Sequence, residues 1–549
     1  MRIDDKADEV SEVRTLQSAF LRAAETFPES VALEVDGAAI SYAELRGRAL
    51  AIAATLQFAR ARYGLDLPPL TCVLGQRSAA VFAGILGALC SGHGYVPMLP
   101  TYPAARLAQV LERSQAGALV VDRSGEKVLG DLLTLVSRPL VIVFADIETD
   151  ADADALAELR ARFPAHLIVG ASELQDAATW VPAEVCADDI AYLLFTSGST
   201  GVPKGVMVAQ RNIVRFLDVV IERYGLGPED RFSHMFEVTF DLSLFDLFAA
   251  WSVGACLCCP NAKQRMMPAS YIREARLSVW FSVPSTALLM KDTRSLGAGA
   301  FPGLRLSIFC GEALSVPVAL AWSEAAHASR VENLYGPTEL TLACTLYPIV
   351  AGDPVLAAAD VVPIGGPFPG MRVKVVDEAL AEVAVGESGE LMLAGPQVAL
   401  GYWNDPERTA AAFVRPPGEN SIFYRTGDRV RAEENGLLRF LGRLDHQVKI
   451  RGFRIELGEV EAVLRREAGV DAAVALGWPQ TSKGCAAGIV GFIDDASVDL
   501  RALRRRLGQF LPRYMVPKRI LVVAVFPLNQ NGKIDRNALQ ASLQEPTPS

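Results

Sequence analysis

Several features are missing from this sequence, and each absence excludes a class of protein. The 549 residues hold no low-complexity tract and no internal repeat, and at 51% hydrophobic and 21% charged they are too apolar for a mostly disordered or collagen-like chain. Little suggests a disulfide framework among the nine cysteines (Cys72, Cys90, Cys186, Cys256, Cys258, Cys259, Cys310, Cys344 and Cys485), whose number is odd and whose surroundings are mostly apolar. That usage suits a reducing cytosol, so a cytoplasmic location is expected. Cys256, Cys258 and Cys259 form a sequence cluster, but the nearest histidine, His234, lies across an apolar stretch, a poor match to zinc-ligand spacing. No apolar run follows Met1-Arg2-Ile3-Asp4-Asp5-Lys6, so no signal peptide is expected. The uncharged stretch 78–105 is broken by Gly92, Gly94, Pro97, Pro100 and Pro103. A second, 247–262, falls short of the roughly 20 residues that cross a bilayer. Both read as buried helix and strand. An excess of positive charge is also missing: 53 basic against 63 acidic residues give −10 at pH 7, which argues against broad binding to nucleic acid or anionic membrane.

The chain is much longer than one typical domain of about 100 to 200 residues, so two or more packed units are expected. From about residue 11 to 443, helix-period and strand-like segments alternate, which predicts parallel sheets covered by helices. Residues 43–56 and 79–90 read as helices; 71–74, 119–121 and 140–144 read as buried strands. After Pro363 short glycine-rich strands such as 372–376 and 389–393 predict an antiparallel, barrel-like unit. The last stretch, 446–549, predicts a small α+β unit with helices at 457–468 and 499–510 and strands at 474–476 and 489–493.

The sharpest local signal is Ala191-Tyr192-Leu193-Leu194-Phe195-Thr196-Ser197-Gly198-Ser199-Thr200-Gly201-Val202-Pro203-Lys204-Gly205. A buried strand runs into hydroxyls and glycines, a lysine closes the loop, and a second strand follows. Backbone N–H groups and hydroxyls in such a loop can wrap polyphosphate oxygens while the lysine supplies a point charge. A flexible surface loop is the plain alternative. It is not a Walker A loop: GxxxxGK[ST] is absent and no helix follows directly, which makes an ordinary P-loop ATPase a poor reading.

The loop resembles the phosphate-binding signature of the adenylate-forming superfamily, which includes acyl-CoA synthetases, luciferases and the adenylation domains of nonribosomal peptide synthetases. The superfamily's later motifs follow in order: Tyr335-Gly336-Pro337-Thr338-Glu339, Gly389-Glu390-Leu391 through Gly401-Tyr402, Tyr424-Arg425-Thr426-Gly427-Asp428, Gly442-Arg443-Leu444-Asp445, Val448-Lys449-Ile450-Arg451-Gly452, and Asn531-Gly532-Lys533-Ile534-Asp535-Arg536. The resemblance implies a multidomain α/β fold. A large N-terminal core, 1–444, would hold two α/β sheet subdomains and a β-barrel subdomain, and a small mobile α+β lid, 445–549, would hinge at Asp445.

The implied chemistry is activation of a carboxylate with ATP and Mg²⁺ to an acyl-adenylate and pyrophosphate, then transfer to a thiol. In-line attack of one anion on another needs cations and donors around the phosphates. By resemblance Thr196, Ser197, Gly198, Thr200, Gly201 and Lys204 would hold the β- and γ-phosphates, Thr338 the α-phosphate, and Glu339 the magnesium, which prefers oxygen ligands. Tyr335, with Gly311, Glu312 and Asn333, would seat the adenine end. Asp428 would take the ribose hydroxyls, Arg443 the ribose or phosphate, and Lys533 the substrate carboxylate. After lid rotation Lys449 and Gly452 would line the thiol tunnel.

Within the superfamily, Thr239-Phe240-Asp241-Leu242-Ser243 resembles the segment of amino-acid adenylation domains whose aspartate pairs with the substrate ammonium. A helix N-cap role for Asp241 is the alternative. By the same pattern the side-chain pocket would comprise Leu242, Phe245, Phe281, Ile308, Cys310, Leu334, Leu342 and Ala343, all uncharged. Such a pocket suits a small apolar amino acid. It resembles most closely that of stand-alone prolyl-activating enzymes, with alanine and valine as rivals. The expected acceptor is the phosphopantetheine thiol of a separate carrier protein, which the basic stretch 501–519 could dock; neither nucleic acid nor membrane is expected as a partner. A carboxylic acid:CoA ligase and a non-catalytic binding protein of the same fold are the competing readings.

Overall fold

The computed structural model describes residues 14–63, 68–146, 150–198, 203–445, 447–482, 484–528 and 534–544. Among them two large sheets dominate. One has eight strands in the order Gly401–Tyr402, Lys204–Ala209, Ile190–Thr196, Gly94–Met98, Leu70–Leu74, Ala118–Val121, Val141–Phe144 and Leu167–Val169. The strands from Ile190–Thr196 onward are parallel, and the first two are antiparallel to their neighbours. The other sheet has nine strands. Its middle, from Arg330–Tyr335 through Leu306–Phe309, Val279–Ser282, Arg231–Ser233 and Cys256–Cys258 to Val31–Val35, is parallel.

Helix Ala79–Cys90 lies between these layers and explains the uncharged stretch around it. Every residue from Ala80 to Cys90 is buried, and a helix apolar all round is a core helix. It sits so close that a Cβ on Gly84 would meet Val120 Cγ1 at 2.8 Å. Among the described residues no helix is long and apolar enough to cross a membrane.

Beyond Pro363 the chain forms an antiparallel unit in which Phe423–Ala432 pairs with Ser388–Ala394, Phe413–Val414 and Leu438–Arg443. After residue 446 the described strands pair only with one another. Helix Leu457–Ala468 buries Leu457, Val460 and Leu464 against Ile489 and Ile493, and a second cluster gathers Val474, Leu476, Val490 and Phe492.

The segments read as helix at 79–90 and 457–468 are found unchanged. The segment at 43–56 extends to Tyr42–Tyr63. The one at 499–510 shortens to Leu500–Leu507: the Asp499 carboxylate caps its start by accepting from the N–H groups of Arg501 and Ala502, and Gly508 caps its end. In the cysteine cluster, Cys256 and Cys258 hold their sulfurs 3.8 Å apart on one side of their strand. Glu34 lies beside them, already paired with Arg231, and His234 faces Asp246 instead.

Candidate active site

The strand Arg330–Tyr335 ends at a turn that only glycine can make, since a Cβ on Gly336 would sit 2.6 Å from Ala343 Cα. The turn delivers Thr338 to the wall of a cleft bounded by the nine-stranded sheet, the antiparallel unit and the hairpin of Gln447–Ile450 and Phe453–Glu456, and puts Glu339 next to it in the core. Glu339 is fully buried. Its Oε1 accepts from Lys204 Nζ at 3.1 Å and from the Tyr402 hydroxyl at 2.8 Å, and its Oε2 from Arg454 Nη1 at 3.1 Å. Burial opposes the charge, but Lys204, then Arg454 and Tyr402, hold this carboxyl well below the usual carboxylate range.

At one end of the cleft, Asp428 Oδ1 accepts from Arg443 Nη1 at 2.7 Å and Oδ2 from the Tyr335 hydroxyl. Each carboxylate oxygen keeps a further lone pair for an incoming hydroxyl. Asn333 lines the same end; its Nδ2 donates to Pro363 O at 2.9 Å while its Oδ1 is buried with no partner. A buried acceptor without a donor is unfavourable, and an exocyclic amine such as that of adenine would supply the missing donor.

Asp241 and Leu242 stand at the other end with Leu334. Asp241 is buried, and burial, with the Glu339 carboxylate, pushes its carboxyl up to about 6, countered only in part by the Thr338 hydroxyl, the Lys449 ammonium and the Leu242 N–H. Its hydrogen bonds go to the Thr338 hydroxyl and the Leu242 N–H and do not cap the following helical turn. That turn is a π-helix, Phe245–Ala249. Phe245, Phe281, Ile308, Cys310, Leu342 and Ala343, expected around the substrate side chain, do not line the cleft. Each is at most 1% exposed. The rings of Phe245 and Phe281 meet edge to face at 5.3 Å, and Phe236 meets Phe281 at 4.8 Å, so aromatic packing fills the space behind Asp241.

In the phosphate loop, Thr196 Oγ1 is buried without a partner. Ser197 Oγ donates to Arg454 O at 2.8 Å and accepts from Glu456 N–H at 3.0 Å, and Gly198 N–H donates to Glu459 Oε2 at 3.3 Å. Thr200, Gly201 and Lys533 lie outside the described residues. Ile534, next to Lys533 in sequence, packs with Val474, Leu476 and Phe492, none of which lines the cleft.

Lys449 and Gly452 do face the cleft. Gly452 N–H donates to Glu312 Oε1 at 2.7 Å, and Glu312 also accepts from Ser285 N–H, so this carboxylate holds the hairpin tip. Gly311, at φ +93°, precedes it in the wall. Asp445 pairs with Arg443 through both oxygens, at 3.0 and 2.6 Å.

Sequence reasoning missed Tyr402, Arg454 and Glu459. A signal for Arg454 was present: in Gln447-Val448-Lys449-Ile450 and Phe453-Arg454-Ile455-Glu456, polar and apolar residues alternate with the two-residue period of a strand. Lys449 and Arg454 are cross-strand partners. Glu339 offers the hard oxygen donors that magnesium takes. Among the described residues Arg454 is the protein partner of its Oε2, so a cation fits there once Arg454 withdraws.

A buried lysine–glutamate pair with Ser197 and Gly198, met by residues 454–459 of a second unit whose hairpin also lines the cleft holding Asp241, Asn333 and Asp428, is the arrangement of an adenylate-forming enzyme. Family models agree: AMP-binding enzyme matches residues 20–403, and AMP-binding enzyme C-terminal domain matches 459–533. The chain belongs to the AMP-binding enzyme family, as an adenylation domain of nonribosomal peptide synthetase type. Tyrocidine synthase 2 of Brevibacillus parabrevis is 33% identical over 97% of this chain, which spans 14% of that protein. Among solved structures, the Vibrio cholerae adenylation domain AlmE, in complex with glycyl-adenosine-5′-phosphate, superposes with a TM-score of 0.84 at 30% identity, covering 98% of this chain and 99% of that one. The artificially fused adenylation–PCP di-domain NpsA-ThdA of Klebsiella oxytoca gives 0.73 at 25% identity, covering 93% and 94%. The chain spans only a small part of the curated relatives it matches, 6% to 14% of the first three.

Proposed function

We propose that the chain activates a small apolar amino acid, L-proline first, to its aminoacyl-adenylate with release of pyrophosphate and passes it to the phosphopantetheine thiol of a carrier protein. The observation that supports this most is the buried carboxylate of Asp241, its pKa raised by burial, facing the same cleft as Asp428 and Asn333. A carboxylate in apolar surroundings is unfavourable unless paired, and a substrate ammonium pairs it. Thr338 and Lys204 then face the phosphates, and Arg443 and Asp428 the ribose. Lys533 orients the substrate carboxylate. Magnesium, held by Glu339, would offset charge on the transferring phosphate.

The filled space behind Asp241 supports a compact side chain, and proline, with no free rotors, is compact. Glycine is a second reading, favoured by the same packing and by the glycyl-adenylate held in AlmE. Discrimination between apolar side chains differing by a methylene is worth only about 1 to 3 kcal/mol, so the assay must compare all of them. The test is exchange of labelled pyrophosphate into ATP across the twenty amino acids and simple carboxylic acids. We expect one dominant amino-acid signal, lost in Lys533→Ala. A response restricted to acids without an amine would replace this reading with a CoA ligase and remove the role of Asp241.

A further inference from the structure

We propose that Cys256, Cys258 and Glu34 form a site for one thiophilic divalent cation of the zinc or cadmium kind. None of the three lines the cleft, so this site is separate from the magnesium that Glu339 would hold.

The strand Cys256–Cys258 lies between Arg231–Ser233 and Val31–Val35 and runs parallel to both. Side chains two residues apart on a strand share a face. The register sets Arg231 beside Cys256, and Ser233 and Glu34 on either side of Cys258. Both thiols pack in the cluster that contains Tyr271 and Trp280, whereas Cys259 packs against the cluster on the other side. The sequence spacing of the cysteines was a poor guide because the third ligand comes from another strand, more than 200 positions upstream.

The two sulfurs stand 3.8 Å apart. Two thiolates bound at about 2.3 Å to one tetrahedral zinc ion are themselves separated by about 3.8 Å, so the strand already presents the bite of such an ion. Ligand atoms of all three residues lie within 4.8 Å of one another. Arg231 Nη2 donates to Glu34 Oε2 at 2.5 Å. That bond leaves Oε1 for the ion and orients the carboxylate, as outer partners orient metal ligands.

Charge decides between a vacant cluster and a binding site. Two thiolates and a carboxylate bring three negative charges, and a divalent cation with the Arg231 guanidinium brings three positive ones, so the filled site is neutral, as burial requires. Thiolates select a soft ion over magnesium, which takes oxygen ligands. Cys256 and Cys258 are 6% and 1% exposed and the Glu34 side chain 37%, so the ion enters beside Glu34, where water completes its coordination. Bound there, it clips Val31–Val35 to the middle of the nine-stranded sheet and stabilises the fold by mass action.

The test is equilibrium dialysis of the full chain, reduced and stripped with a chelator, against cadmium or zinc in the presence of magnesium. Bound metal is counted by mass spectrometry, and thiolate-to-cadmium charge transfer is followed in the ultraviolet. Every protein carries Cys186→Ser, which removes the exposed thiol. We expect one ion per chain, a charge-transfer band and a raised thermal midpoint. Cys256→Ser and Cys258→Ser should each abolish the band, and Glu34→Gln should weaken binding by about tenfold or more, the loss that even an outer partner of a metal site causes. Amino-acid-dependent pyrophosphate exchange should be unchanged in all three. If a serine variant fails to fold, Glu34→Gln, which alters only a part-exposed side chain, still decides. No ion bound from molar excess, or an ion held with unchanged affinity in Glu34→Gln or in a folded serine variant, overturns the proposal.

Discussion

At Asp241, function and stability pull in opposite directions. Its folded carboxyl sits at about 6 against an ordinary 3.8 because burial penalises the charged form. The folded state therefore holds this proton more tightly than the unfolded one. Its stabilising effect is complete below 3.8 and is lost as pH rises through 6, leaving the ionised group to cost about 3 kcal/mol at pH 7. Asp241→Asn should raise the thermal midpoint at pH 7, with no gain below pH 3.8, while amino-acid-dependent pyrophosphate exchange falls by about 100-fold or more, as for the loss of one member of a buried charge pair. In the wild type, KM for the amino acid should fall as pH rises through 6, because the ionised carboxylate pairs with the ammonium. A KM flat between pH 5 and 7 would contradict that pairing.

On the proposed function, the hairpin after residue 446 is the element that would serve thiol transfer. Its alternating pattern puts Gln447, Lys449 and Arg454 in the wall of the cleft, and Gly452, at φ +83°, turns the chain where a Cβ would come 2.6 Å from Val283 Cγ1. Gly452→Ala should cut thioester formation on the carrier tenfold or more, and by a larger factor than it cuts pyrophosphate exchange, measured side by side with the same preparation. Equal losses in both assays would show that the turn serves the whole site. The π-helix at Phe245–Ala249 had no comparable signal. Its apolar residues read equally well as α-helix.

For the whole molecule, packing also sets the accessibility of the thiols. Cys186 is exposed, Cys259 is half-buried and the other seven are buried. Titration of the native protein with an aromatic disulfide reagent should therefore show one fast thiol, with the buried ones reacting only after unfolding. Three or more fast thiols would contradict the core described here. The same burial explains why 78–105 and 247–262 carry so little charge: most of each lies in a core helix or a buried strand, where an unpaired charge is strongly unfavourable.

Local chemistry was legible in the sequence. The hydroxyl–glycine–lysine loop and the helices at 79–90 and 457–468 follow from residue type and spacing, because a helix period or a phosphate cradle is specified over a few consecutive residues, whereas Thr338, Glu339 and Asp428 stood out only through the resemblance of their motifs. Tertiary structure decided what depends on distant partners. It filled the expected side-chain pocket with aromatic rings, set Glu312 against the hairpin tip, and joined Glu339 to Lys204, Tyr402 and Arg454, side chains separated by up to 250 positions from Lys204 to Arg454. Such contacts depend on how sheets and units pack together, and no short stretch of sequence encodes that.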